Sequence, residues 1–120
     1  MFITVIGFNT NRRILVKKEN IIYVKYEQDH SIIQLHKNVN VITKYNVNYI
    51  YSLLLDKNNF LFLHDENNFP LIVNKNYVLI CQDTNDHSMI SFINISEDVF
   101  INESFDKIVE KFNNNKKNNC

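Results

Sequence analysis

The sequence predicts an α+β fold built twice, and three observations carry that prediction. The run Asp29-His30-Ser31, followed by two apolar residues, returns 57 residues later as Asp86-His87-Ser88. Around each copy, short runs rich in β-branched and aromatic residues alternate with polar turns, as antiparallel strands do. Each half then closes on apolar residues at i, i+3, i+4 and i+7, the signature of an amphipathic helix. We therefore expect two tandem repeats, each a small antiparallel β-meander of about five strands followed by one C-terminal amphipathic helix, packed with pseudo-twofold symmetry. Residues 1–57 form unit 1, residues 58–112 unit 2, and residues 113–120 a polar Asn/Lys tail with nothing to bury and an expectation of disorder.

In unit 1, residues 2–6 carry apolar types on both faces, as in a buried strand, and 7–11 make a turn. Residues 12–16 form the second strand, 21–27 the third and 31–35 the fourth, returning from the turn Gln28-Asp29-His30. A short fifth strand at 41–43 precedes a helix whose inner face is Val47, Ile50, Tyr51 and Leu54, with Asn46 as candidate cap. In unit 2 the strands fall at 60–63, 69–73, 77–83, 88–93 and 99–101, and the helix starts at Ser104 with Phe105, Ile108, Val109 and Phe112 on its face. Val41 matches Val99 at an offset of 58, so the turn between strands four and five has gained one residue. Surface loops are where insertions are tolerated.

Composition narrows the function classes. Lys plus Arg equals Asp plus Glu at 13 each, so no bulk charge draws the chain to nucleic acid or acidic membranes. No apolar run approaches the length of a membrane span. The first residues read as a strand rather than a signal peptide, and Cys81 and Cys120 are an unpromising disulfide pair, so we expect a cytoplasmic or virion-associated protein. There is no alanine, one glycine and one proline, against abundant Asn, Ile and Lys. That bias marks an AT-rich genome and leaves Asn to take the left-handed turn positions glycine usually fills.

No catalytic or metal signature survives inspection. In the repeated loops, Asp29, His30, Ser31 and Asp86, His87, Ser88, a serine beside a histidine suggests a nucleophile, but neighbours in a tight turn point apart and a nucleophile needs its base on a separately positioned element. Two matching hairpin turns, with Asp or His in the left-handed position and Ser bonding the turn backbone, account for them better, the remaining alternative being a symmetric pair of binding loops. The four histidines have no zinc spacing, so neither metal nor cofactor is expected. Arg12 and Arg13, with Lys17, Lys18 and Lys25 and the nearby Tyr23 and Tyr26, are the one basic cluster; they are a candidate phosphate or base site, weighed against a solvated sheet edge. Tyr45, Tyr49 and Tyr51 exceed what one small core needs and are candidates for a protein interface.

The strand and helix order, the helix opening Glu103-Ser104-Phe105-Asp106-Lys107-Ile108 and the run Ile21-Ile22-Tyr23-Val24 together resemble the small FlbD-like family, in which a single unit of this kind is often labelled flagellar. The resemblance covers each half in turn and implies a β-rich fold with a binding or assembly role and no defined catalysis. This chain departs from the pattern in being doubled and in having Tyr45-Asn46-Val47 where the first helix would open with Glu-Ser. The resulting expectation is a non-enzymatic, self-associating accessory protein of phage or mobile-element origin, with itself or another protein as partner. The competing expectation is a binder that sequesters an anionic nucleotide-like signal molecule through Arg12, Arg13, Lys25 and a Tyr stack. Balanced charge argues against nucleic acid as a partner.

Overall fold

Fifteen short elements follow one another in the computed structural model, which describes residues 1–54, 58–85 and 87–117, the last four by backbone alone. In the first half they are β1 (Phe2–Ile6), β2 (Arg13–Lys17), β3 (Ile21–Glu27), β4 (His30–Leu35), β5 (Val39–Thr43) and α1 (Val47–Leu53). In the second half they are β6 (Phe60–His64), β7 (Pro70–Asn74), β8 (Val78–Thr84), β9 (His87–Phe92), β10 (Asp98–Ile101) and α2 (Phe105–Lys117). Single 3-10 turns at Lys18–Asn20, His36–Asn38 and Lys75–Tyr77 join strands at the end opposite the hairpin turns. Asn supplies five of the seven described non-glycine residues with left-handed φ, namely Asn11, Asn38, Asn68, Asn85 and Asn94, while Gly7 is not among the positive-φ residues.

Strand pairing departs from the expected pair of five-stranded meanders. β1 and β2 form a separate hairpin, β8, β9 and β10 form a three-stranded sheet, and the third sheet runs β5-β4-β3-β7-β6 across the two halves. β3 takes β7 on its free edge, with Tyr23 opposite Val73 and Lys25 opposite Leu71. The halves therefore interlock through one sheet instead of packing as two side-by-side units, and no pseudo-twofold arrangement is evident.

Both faces of that central sheet are buried at β3, β7 and most of β6, which explains the continuous apolar runs there, while the edge strand β5 is largely exposed. Ile21, Val24, Phe60 and Ile72 face one core with Ile3, Val5 and Val16 of the hairpin and Val47, Ile50 and Leu54 of the α1 region. Ile22, Tyr23, Leu61, Leu63, Leu71 and Val73 face the other with Ile90, Phe92, Val99, Ile101 and Ile108. Each such side chain contributes about 1.5–3 kcal/mol relative to an exposed one. The layers are thus hairpin and α1, central sheet, then the three-stranded sheet and α2.

α1 begins where the Asn46 side chain accepts from the Tyr49 N–H at 2.7 Å, and it buries Val47 and Ile50. α2 runs on to Lys117, past the expected boundary at 112, so helix covers most of the tail expected to be disordered; residues 118–120 lie outside the described set. No described helix is long and apolar enough to cross a membrane.

Candidate nucleic-acid interface

Hairpin turns from both halves line one rim of the central sheet. The β1–β2 turn is closed by Gly7 N–H to the Arg12 carbonyl at 2.8 Å and by Asn11 N–H to the Gly7 carbonyl at 3.2 Å, with Asn11 left-handed at φ 55°. It is bonded to the end of β5: Phe8 N–H donates to Ile42 at 3.0 Å, Lys44 N–H to Ile6 at 3.1 Å, and the Thr43 hydroxyl to the Ile6 carbonyl at 2.6 Å. The β3–β4 turn joins it through the Phe8 and His30 rings, whose centroids are 4.9 Å apart. A Cβ on Gly7 would come within 2.5 Å of Thr10 Oγ1, the same oxygen that accepts from the Arg12 N–H at 3.2 Å. Glycine here is favoured by close approach, since a Cβ would have to displace the Thr10 side chain, rather than by positive φ.

This packing gathers charge from three loops. Arg12 and Arg13 leave the first turn exposed, and exposed Lys44 reaches from the β5–α1 junction to Asn11 Oδ1 at 2.7 Å. On the β3–β4 turn the Asp29 carboxylate lies 3.1 Å from His30 Nδ1. Between the loops is a hollow of about 340 Å³ with Phe8, Ile14 and Ile42 as its apolar lining and Asn9, Thr10 and His30 as its polar lining.

The other residues singled out in the sequence lie elsewhere. Lys17 pairs with Phe2 at the far end of β2, and Lys18 is buried, so the basic cluster read along the sequence divides between two ends of the molecule. Tyr23 is 1% exposed and donates its hydroxyl to Glu97, and Lys25 Nζ is 3.0 Å from the other oxygen of the same carboxylate. Tyr23 and Lys25 therefore clasp the β9–β10 loop. Burial pushes the Glu97 carboxyl up, but the hydrogen bonds from Tyr23 and Lys25 outweigh that and hold it below the usual value. Burial first, and then Glu97, push the Tyr23 phenol well above its own. Tyr26 packs on Phe69 at 5.1 Å. Arg12 and Arg13 thus do not share a pocket with Tyr23, Tyr26 and Lys25.

In the repeated loops, Gln28 and Asn85 take the left-handed position expected of Asp or His, and neither described serine bonds its turn. Ser88 donates to the Glu103 carbonyl at 3.1 Å, whereas the buried Ser31 hydroxyl has no hydrogen-bond partner among the described residues. His87 is exposed, and Asp86 lies outside the described residues. Of the three tyrosines assigned to an interface, Tyr45 meets Tyr49 edge to face at 4.7 Å and Tyr51 packs on Phe62 at 5.1 Å; Tyr49 is 48% exposed. The apparent tyrosine excess is mostly aromatic packing at the margin of the first core. Sequence reasoning missed Lys44, Asn11 and Glu97. The repeat offset held a signal for Lys44, because its counterpart is Asn102.

No family model and no curated protein matches the chain. Among solved structures it is similar to one named as the LytTr DNA-binding domain of a response regulator from Bacillus cereus, with a TM-score of 0.70 and 21% identity over 92% of this chain and 94% of that one. At that identity the likeness is one of fold. The match corrects the FlbD-like resemblance, since the fold over nearly the whole chain is similar to that of a structure of a different name. It also overturns the expectation of a phage assembly accessory or a sequestering binder of nucleotide-like molecules, and the argument from charge against nucleic acid. Balanced net charge does not by itself exclude a nucleic-acid partner, because it sums over the whole surface, whereas charges act over a screening length of about 8–10 Å.

Proposed function

We propose that the protein binds double-stranded DNA through the first-half rim, with Arg12, Arg13 and Lys44 on backbone phosphates and Asn9 and His30 within reach of groove edges. The observation that carries this reading is the gathering of three exposed cations from two loops far apart in sequence, on a fold shared with a DNA-binding domain. Phosphate contacts position a protein on the duplex, and loops with amide and imidazole groups can read bases. The reading includes three further points: no catalytic activity, a cytoplasmic location where DNA is accessible, and descent from a duplicated unit spanning residues 1–57 and 58–112. Equal spacing supports the duplication, since the Gly7–Thr43 bridge has its counterpart 58 residues on in Asp65–Ile101.

The test is fluorescence anisotropy on a pool of duplex DNA across a salt series. Binding is expected to weaken linearly in log–log form, and Arg12→Ala/Arg13→Ala/Lys44→Ala to reduce the slope by about 2.7. Salt-independent binding, or a triple variant with the parent slope, would sink the reading.

A further inference from the structure

Structurally matching rims of the two halves carry opposite charge, and we infer that the second rim is an anionic guard that holds the duplex on the first half alone. This rests on the DNA reading above. The correspondence comes from the register: Gly7 bridges Thr43 and Asp65 bridges Ile101, and the turn closed by Gly7 N–H to Arg12 has its counterpart in Asp65 N–H to Phe69 at 2.8 Å. Where the first half has Phe8, Arg12, Arg13 and Lys44, the second has Glu66, Phe69, Pro70 and Asn102 at the same offsets of 57 and 58. Every cation of the first rim has a neutral counterpart, and two carboxylates stand where the first rim has glycine and phenylalanine.

The two rims are continuous. Lys25 opposite Leu71 sets the β6–β7 turn beside the end of β3, and the rings of Tyr26 and Phe69 span the join at 5.1 Å. Glu66 N–H donates to the Phe100 carbonyl at 3.0 Å, which brings Glu97 of the β9–β10 loop and Asp98 at the start of β10 to the same hollow as Asp65 and Glu66. The nearby cation is Lys25, already shared between Glu97 at 3.0 Å and Glu27 at 3.7 Å, so it does not neutralise Asp65, Glu66 or Asp98. A polyanion laid along the whole rim would meet attraction at one end and repulsion at the other. The duplex is therefore displaced toward Arg12, Arg13 and Lys44, and orientation is set without any base contact from the second half.

Isosteric neutralisation tests this with little risk to folding. Asp65→Asn retains the oxygen that accepts from the Asn67 and Phe69 N–H groups, and Asp98→Asn retains the acceptor for the Ser91 hydroxyl. The triple variant Asp65→Asn/Glu66→Gln/Asp98→Asn is expected to bind a duplex DNA pool about three- to tenfold more tightly at low salt, the gain fading as screening shortens. Glu110→Gln, on exposed helix surface close to where Phe112 meets Lys75 at the far end of the sheet, is the charge control and is expected to change affinity less than about twofold. Hydroxyl-radical footprints of Glu66→Lys should lengthen on one side only. Affinity that is unchanged or lower in the triple variant, or a gain matched by Glu110→Gln, overturns the guard while leaving DNA binding intact. If neither parent nor variant binds duplex DNA at any salt, the underlying reading has failed and the guard with it.

Discussion

Lys44 donates from its ammonium to Asn11 Oδ1 across 2.7 Å, tying the strand-to-helix junction to the first hairpin turn. The bond holds a cation of one loop against the turn that carries Arg12 and Arg13, where Asn11 takes a left-handed backbone. Lys44→Ala should lower the salt slope of DNA binding by about 0.9, while Lys44→Arg retains it. Both variants should unfold within about 0.5 kcal/mol of the parent, since the site is exposed. Equal slopes in urea melts with unequal slopes in binding would separate contact from folding.

The repeated serines should behave differently despite their identical setting in sequence. Ser88→Ala removes the donor to the Glu103 carbonyl and should cost about 1 kcal/mol in denaturant unfolding. Ser31→Ala removes a buried hydroxyl that has no partner among the described residues and should be neutral or stabilising. Equal costs for the two would contradict the assignment.

Stability should fall in acid partly through Glu97. Its carboxyl is depressed in the folded protein, so its contribution is fully present above the ordinary value of 4.5 and is lost as pH drops through the folded value. Glu97→Gln should therefore flatten the pH dependence of unfolding free energy below about pH 5. At neutral pH it should also loosen the β9–β10 loop, which amide hydrogen exchange would register.

Ile72 tests the central sheet. It is fully buried in the first core although its strand belongs to the second half, so Ile72→Ala should cost about 2–5 kcal/mol. One cooperative transition is expected in this variant, because the two cores share β3 and β7. Separate melting of the two halves would mean they are independent units.

Secondary structure was legible because it is local. Every expected strand and both helices exist, with strand ends displaced by at most two residues and α2 running on to Lys117, and Asn46 caps α1 as its position implied. The candidate site was only partly legible. Arg12 and Arg13 stand out in the chain, but neighbours along a strand such as Lys17 diverge in space, while Lys44 arrives from 31 positions beyond Arg13. Tyr23 and Lys25 looked like ligand groups because their partner, Glu97, is 74 and 72 residues away.

What the sequence determined alone was the α+β class, the order of elements and the spacing of 57 to 58 residues between matching positions. The tertiary structure decided which strand completes β3. Both β2 and β7 are five-residue strands with three aliphatic residues at their centre, so that central pattern does not choose between them. Burial does. β7 has Leu71, Ile72 and Val73 buried in succession and needs cover on both faces, whereas β2 ends in exposed Arg13 and Lys17 and leaves Leu15 65% exposed. The hydrophobic effect therefore favours β7 inside and β2 outside, and that choice interlocks the halves and joins a basic rim to an acidic one.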